Sequence, residues 1–353
     1  MGEAIAYDFN HQARILCGMG RYQEARQILG KALNKYPGHY NMQWNLARTY
    51  WLEGQYDRAM RELDKAYLLD PLRWDTASAR ARVYILKEDY PKAEEQYRIL
   101  MERENWSPRT LGINGLAKLY VLQGRFKDAV ALYEQCKKDF DIDLARNKIN
   151  IAWDQGHWEE VEQFFETWEP PVPSWEALLG KPIALGEVKA RLHKWDEAQS
   201  ILDKLNDMLS EPAKIYPLNR VQRTVLDLQG RIELEKGNYE TAIGLLEQAK
   251  EKLPHIHYGG YAWFLESLAR AYFMAGKLET ARKEYRMITT LTEGRLDDGP
   301  IHAKSFYMLG KIAEKLGDKR EARKQYTRFL DLWKNADPGL PEVEDAKARL
   351  GNL

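Results

Sequence analysis

The chain has 353 residues, with 53 Lys+Arg against 53 Asp+Glu and a sequence pI of about 7.1. Zero formal net charge excludes nucleic-acid binding by bulk charge, and the lack of any apolar run of roughly 18 residues excludes a helical membrane span. Two cysteines far apart, Cys17 and Cys136, form no disulfide framework and point to a reducing, cytoplasmic compartment; Met1–Ala6 lacks the basic and apolar regions of a signal peptide, and Ala6 spoils a myristoylation motif.

In chain order, a glycine, an aromatic two residues on and an alanine three further stand first at Gly20/Tyr22/Ala25 and then at Gly54/Tyr56/Ala59. Glu88/Tyr90/Ala93 is a looser copy and Gly124/Phe126/Ala129 a full one; Gly156/Trp158/Val161 and His193/Trp195/Ala198 are looser again. Gly237/Tyr239/Ala242 is full, and Gly276/Leu278/Ala281 and Gly317/Lys319/Ala322 complete nine copies. The closing residues are 32 to 44 apart, beginning with two steps of 34, which is room for two helices and two tight turns. The glycine suits a left-handed helix end, the aromatic fills the gap between two helices, and the alanine is small where the partner helix crosses. Twelve residues before the alanine another small residue recurs (Ala13, Ala47, Ala81, Ala117, Gly186, Gly230, Ala269, Gly310), and four after it a bulky one (Leu29, Leu63, Tyr97, Tyr133, Phe165, Leu202, Leu246, Tyr285, Tyr326). Cys136 holds a small-residue packing position seven after its alanine, which makes it buried filler. Pro37, Pro71 and Pro254 stop second helices, and Pro91 starts one.

These positions resemble the tetratricopeptide repeat family over nearly the whole chain. The resemblance implies an all-α fold: a right-handed α-solenoid of about nine tetratricopeptide-like helix-turn-helix repeats. Helix-breaking Pro170, Pro171 and Pro173, with Ser174 able to cap the next helix, divide it into an N-terminal array of five repeats (1–168) and a C-terminal array of four longer repeats (169–353). A second interruption runs from Ser210 to Pro217, and both proline-bearing stretches are expected to be nicked first by protease. A turn at Asp337–Leu340 leads into a capping helix over 341–353, whose Leu340, Val343, Ala346 and Leu350 stripe covers the last repeat and implies a natural C-terminal end. The other end opens almost inside a repeat, as an excised piece of a longer chain would. Residues His302–Leu350 are also similar to the C-terminal repeats of bacterial multidomain signalling proteins, where such arrays follow a kinase, cyclase or DNA-binding part.

No catalytic constellation is visible: there is no GxxxxGK[ST], GxSxG, HExxH or kinase glycine loop, and no cofactor motif. His255 and His257 lack metal partners at a recognisable spacing; Glu293, Asp297, Asp298 and His302 crowd one loop and read as a solvated acidic segment in preference to a cation site. Eleven residues before each closing residue stand Arg14, Arg48, Arg82, Lys118, Asn150, Glu187, Arg231, Arg270 and Lys311, a mostly basic register in a neutral chain. In the tetratricopeptide fold this position faces the inner groove. With Asn10, Trp44, Asn45, Trp51, Asn114, Arg146, Asn147 and Trp153 it composes a surface of amides, guanidinium groups and indoles suited to an extended peptide bearing carboxylates. The family's carboxylate clamp for chaperone tails places Lys and then Asn four residues later on its first helix. Here Asn10 and Arg14 stand there, which puts chaperone binding in doubt. The expected function is a non-catalytic protein- or peptide-docking scaffold. The alternative is the sensor half of a bacterial regulator, with a small ligand held at Trp44 and Trp51.

Overall fold

The computed structural model describes residues 2–136, 144–170, 174, 179–210, 218–253, 261–292, 294–297 and 299–353. Helix ends set the repeat. Helix α3 (Tyr40–Leu52) stops where Gly54 turns left-handed at φ 80°; the Gly54 N–H then donates to Trp51 O at 3.1 Å and the Gln55 N–H to Tyr50 O at 2.8 Å. This pair of bonds satisfies carbonyls that a helix end otherwise leaves orphaned. The same pair forms at Gly124, and also at Glu88 (φ 63°) and His193 (φ 58°), where no glycine is present. A left-handed non-glycine residue costs roughly 1–2 kcal/mol, so packing on both sides imposes the turn at these two positions.

The resulting hairpins pair α1 (Gly2–Gly18) with α2 (Tyr22–Lys35), α3 with α4 (Tyr56–Leu69), α5 (Trp74–Leu86) with α6 (Tyr90–Met101), and α7 (Trp106–Leu122) with α8 (Phe126–Cys136). They continue with α9 (Leu144–Gln155) and α10 (Trp158–Thr167), α11 (Lys181–Arg191) and α12 (Trp195–Ser210), and α13 (Leu218–Glu235) and α14 (Tyr239–Glu251). After α15 (Tyr261–Met274) and α16 (Leu278–Thr290) comes one turn, α17 (Gly294–Asp297); then α18 (Gly299–Lys315) pairs with α19 (Lys319–Leu332), and α20 (Pro341–Asn352) covers both. The described residues hold no strand, and the fold is the expected α-solenoid of helical hairpins. All nine closing residues, Val161 included, are 0 % exposed, so the alanine register is the seam of the packing. The seam is tight: a Cβ added at Gly115 or Gly310 would stand within 3 Å of the Tyr97 or Tyr326 ring, each the bulky residue four after its alanine. Val343 and Ala346 of α20 are buried and Leu340 and Leu350 pack beside them, as the stripe predicts. Cys17 and Cys136 are buried thiols that are not joined in a disulfide. No described helix is long and apolar enough to cross a membrane.

The solenoid does not stay open. One hydrophobic cluster joins residues between Ala81 and Ile151 to residues between Ala303 and Ala346. The Trp333 indole N–H donates to Leu122 O at 3.0 Å, and its ring meets Phe126 edge-on at 6.1 Å. Asp337 caps the start of α8: its carboxylate accepts from Lys127 N at 2.9 Å while its own N–H donates to Gly124 O at 3.0 Å. Arg295 of α17 donates to Leu86 O at 3.2 Å, and Arg328 pairs with Glu88. Helices α7 to α20 thus form a ring, and α1–α6 extend from it as an arm whose last hairpin, α5 and α6, also touches the closure. Residues 168 and 169, the expected boundary between arrays, lie inside this ring between α10 and α11, which pack on each other. Residues 171–173, 175–178 and 211–217, which carry most of the predicted interruptions, lie outside the described residues.

Closure requires close backbone approach at Gly299, where a Cβ would come 2.9 Å from Leu122 Cα. Gly299→Leu is expected to cost about 1–3 kcal/mol by overpacking and to speed amide exchange in both α7 and α18. Gly30→Ala, in α2 with nothing within 4 Å of its would-be Cβ, is the control and should gain up to about 1 kcal/mol. Equal melting temperatures and exchange in the two variants would mean that α7 and α18 do not touch.

Candidate functional site on the concave face

The first helix of each hairpin in the ring faces inward, and together these helices surround a cavity of about 780 Å³. Lys118, Asn150, Glu187 and Arg231, all eleven residues before a closing residue, line it. That register therefore points to the concave side. Asn147 and Trp153 line the cavity as well, Trp153 meeting Trp158 edge-on at 5.6 Å.

The basic register does not run free around the ring. Lys118 Nζ pairs with Asp297 Oδ1 across the closure at 2.6 Å. Arg231, 3 % exposed, is saturated: Nε on Asp227 at 2.8 Å, Nη1 on Glu187 at 3.0 Å, Nη2 on Trp263 O at 2.9 Å, and its guanidinium 3.5 Å from the Trp263 ring centre. Arg270 pairs with Glu235, which also takes Arg191 at 3.0 Å. In the ring, then, carboxylates of the chain itself engage several of the register's cations.

The other predicted site residues do not line this cavity, and most lie on the arm. Asn45 Nδ2 donates to Asn10 Oδ1 at 2.8 Å, tying α3 to α1. Arg14 is exposed; Arg48 and Arg82 are half-buried. Trp51 is 2 % exposed and part of the core, while half-buried Trp44 packs edge-on against it at 5.4 Å, so the two indoles fill each other's space. Asn114 is half-buried on α7, and exposed Arg146 lies 5.3 Å over the Trp168 ring. His255, His257, Glu293 and Asp298 fall outside the described residues. Asp297 is committed to Lys118, and His302 is buried against Phe306; burial, with Arg295 and Arg328 nearby, holds that imidazole well below its usual value. Glu162, Glu166 and Glu197 make a carboxylate triad, but Lys189 Nζ occupies its centre at 2.6–2.7 Å from each. Burial alone would lower that ammonium's pKa; the three carboxylates hold it above the usual lysine value.

Trp263 and Glu266, which the sequence does not single out, and Tyr285, expected only as a packing residue, also line the cavity. A signal existed: fifteen residues before the closing residue, the register that holds Asn10, Trp44, Asn114 and Arg146 also holds Asp227 and Glu266.

Family models described as tetratricopeptide repeat match residues 16–80, 113–139, 228–295 and 303–332. The chain belongs to the tetratricopeptide repeat family. It is similar to a tetratricopeptide repeat protein from Parabacteroides merdae ATCC 43184, known from a crystal structure, at 18 % identity over 79 % of this chain and 97 % of that one, with a TM-score of 0.43. No curated protein matches it. Repeats of this family serve protein–protein interaction, and the chain fits a scaffold in preference to an enzyme.

Asp227 gives the site a pH signature. Burial pushes its carboxyl up to about 7 against the pull of Arg231, with Glu187 adding to the rise. The folded chain then keeps a proton that the unfolded chain, with an Asp pKa of about 3.9, releases. This group's contribution to stability is full below about pH 4 and is lost as pH rises to about 7, with a slope of up to about 1.4 kcal/mol per pH unit. Urea unfolding of wild type and Asp227→Asn across that window should show a shallower fall with pH in the variant. Parallel curves would mean that Asp227 titrates as an ordinary carboxylate.

Proposed function

We propose that the protein is a non-catalytic docking scaffold that holds an extended partner segment bearing carboxylates against the concave face of the arm. The observation that carries this is the register. Eleven before the closing residue the chain faces inward wherever the cavity samples it, and in the first three repeats that position is arginine each time: Arg14, Arg48, Arg82. Guanidinium groups suit carboxylates by bidentate hydrogen bonding, and the Asn10–Asn45 amides beside them suit a peptide backbone. The two buried thiols, not joined in a disulfide, favour a reducing, cytoplasmic setting, and the likeness of residues 302–350 to bacterial signalling arrays favours a bacterial one. The sensor alternative holds its ligand at Trp44 and Trp51; Trp51 is buried in the core and Trp44 packs against it, so the docking reading is preferred.

The test reverses the register: Arg14→Glu, Arg48→Glu and Arg82→Glu together. Partner captured from lysate by wild type, then titrated with the pure proteins, should bind more weakly as salt rises, because exposed charges are screened over about 8–10 Å. The triple variant should lose about 1–3 kcal/mol of affinity at low salt, at about 1 kcal/mol per pair, with helicity unchanged. A variant that binds like wild type at low salt would place the docking surface elsewhere.

A further inference from the structure

From the second repeat onward, one side of each first helix rests on the hairpin before it. The residue ten before the closing one marks that side. In each of the other eight repeats, from Thr49 and Val83 to Ala271 and Ile312, it is 0–4 % exposed. The contacts of repeat two show what covers it. Arg26 Nη1 of α2 donates to Thr49 O at 3.4 Å, and Asn45, on the same side of α3, bonds to Asn10 of α1. In repeat one the position is Ile15, and it is 51 % exposed. Tyr7, His11 and Met19 are exposed beside it, the His11 ring stacked on Tyr7 with centres 6.2 Å apart. Among the described residues, nothing covers this side of α1.

The chemistry of the face narrows its occupant. Tyr7, His11, Ile15 and Met19 stand four residues apart, so they form one ridge along α1 and just past its end; ridges of this spacing interdigitate where two helices cross. No Lys, Arg, Asp or Glu interrupts the ridge, and a chain of zero net charge does not repel its own copy. The other end of the array is closed, because α20 lies on α18 and α19 with Val343 and Ala346 buried. A copy therefore cannot add head to tail, as a filament requires, and the face left over matches only itself.

We propose that two copies of the chain pair through the outer side of α1, about a two-fold axis that sets the ridge of Tyr7, His11, Ile15 and Met19 against the same ridge of the second copy. Each α1 then receives on that side the helix packing that every later first helix receives from the hairpin before it. Arg14 belongs to the groove register and not to this ridge, so the pairing does not rest on the docking reading.

The experiment is sedimentation equilibrium of the full chain over a wide range of concentrations. The profiles should fit a monomer and a dimer and nothing larger. Ile15→Glu changes an exposed side chain, so it should keep the wild-type melting temperature in dilute solution. It should raise the dimer Kd about tenfold or more, since each dimer loses two apolar contacts and buries two carboxylates. Leu72→Glu is the control: Leu72 is apolar and 80 % exposed but lies in the turn after α4, and its variant should dimerise as wild type does. A chain that stays monomeric at every concentration would assign the face to a helix of a different partner and overturn the proposal. Growth beyond the dimer, a dimer indifferent to Ile15→Glu, or equal loss in Leu72→Glu would overturn it as well.

Discussion

Everything distinctive in this molecule depends on the contact of α18 and α19 with α7 and α8. A tetratricopeptide array stabilises itself through nearest neighbours and has no intrinsic need to close. Here Gly299 removes a Cβ at the point where α18 meets Leu122, Trp333 spends its indole N–H on the Leu122 carbonyl, and Asp337 caps α8 in place of a residue local to it. Each of these satisfies or covers a group that a free-standing hairpin would leave to water. Together they turn a row of neighbours into a ring with long-range contacts, and they split one concave face into an open arm and a walled cavity.

That split gives the two halves different surroundings for one repeat. The inward register is arginine three times on the arm. In the ring, Asp297, Asp227, Glu187 and Glu235 engage the cations at or beside the same register. Trp51 illustrates the limit of reading a groove from periodicity: an indole one turn along a first helix can face the neighbouring hairpin instead of the groove, and it is buried there.

The local structure was legible in the sequence because each repeat signal has a local cause. Glycine at the helix end, the small residue at the crossing and the bulky residue four further are needed wherever two helices meet at this distance, and the structure buries all nine closing residues. Glu88 and His193 were recognised as loose copies for the same reason, since the turn persists although the glycine does not. Closure was not legible. It rests on pairs such as Lys118 with Asp297 and Arg328 with Glu88, more than a hundred residues apart, each chemically ordinary on its own helix. The cavity's carboxylates were hidden likewise: Asp227 and Glu266 sit in the inward register, but their burial beside Arg231 and Arg270 emerges only when α11, α13 and α15 are brought side by side.

The measurement that bears most directly on this account is small-angle X-ray scattering from the monomeric chain in dilute solution. Closure predicts a profile that fits the ring with its arm, with a correspondingly short maximum dimension. A profile that requires an extended superhelix, with α18 far from α7, would contradict the ring, the cavity and the division of the concave face together.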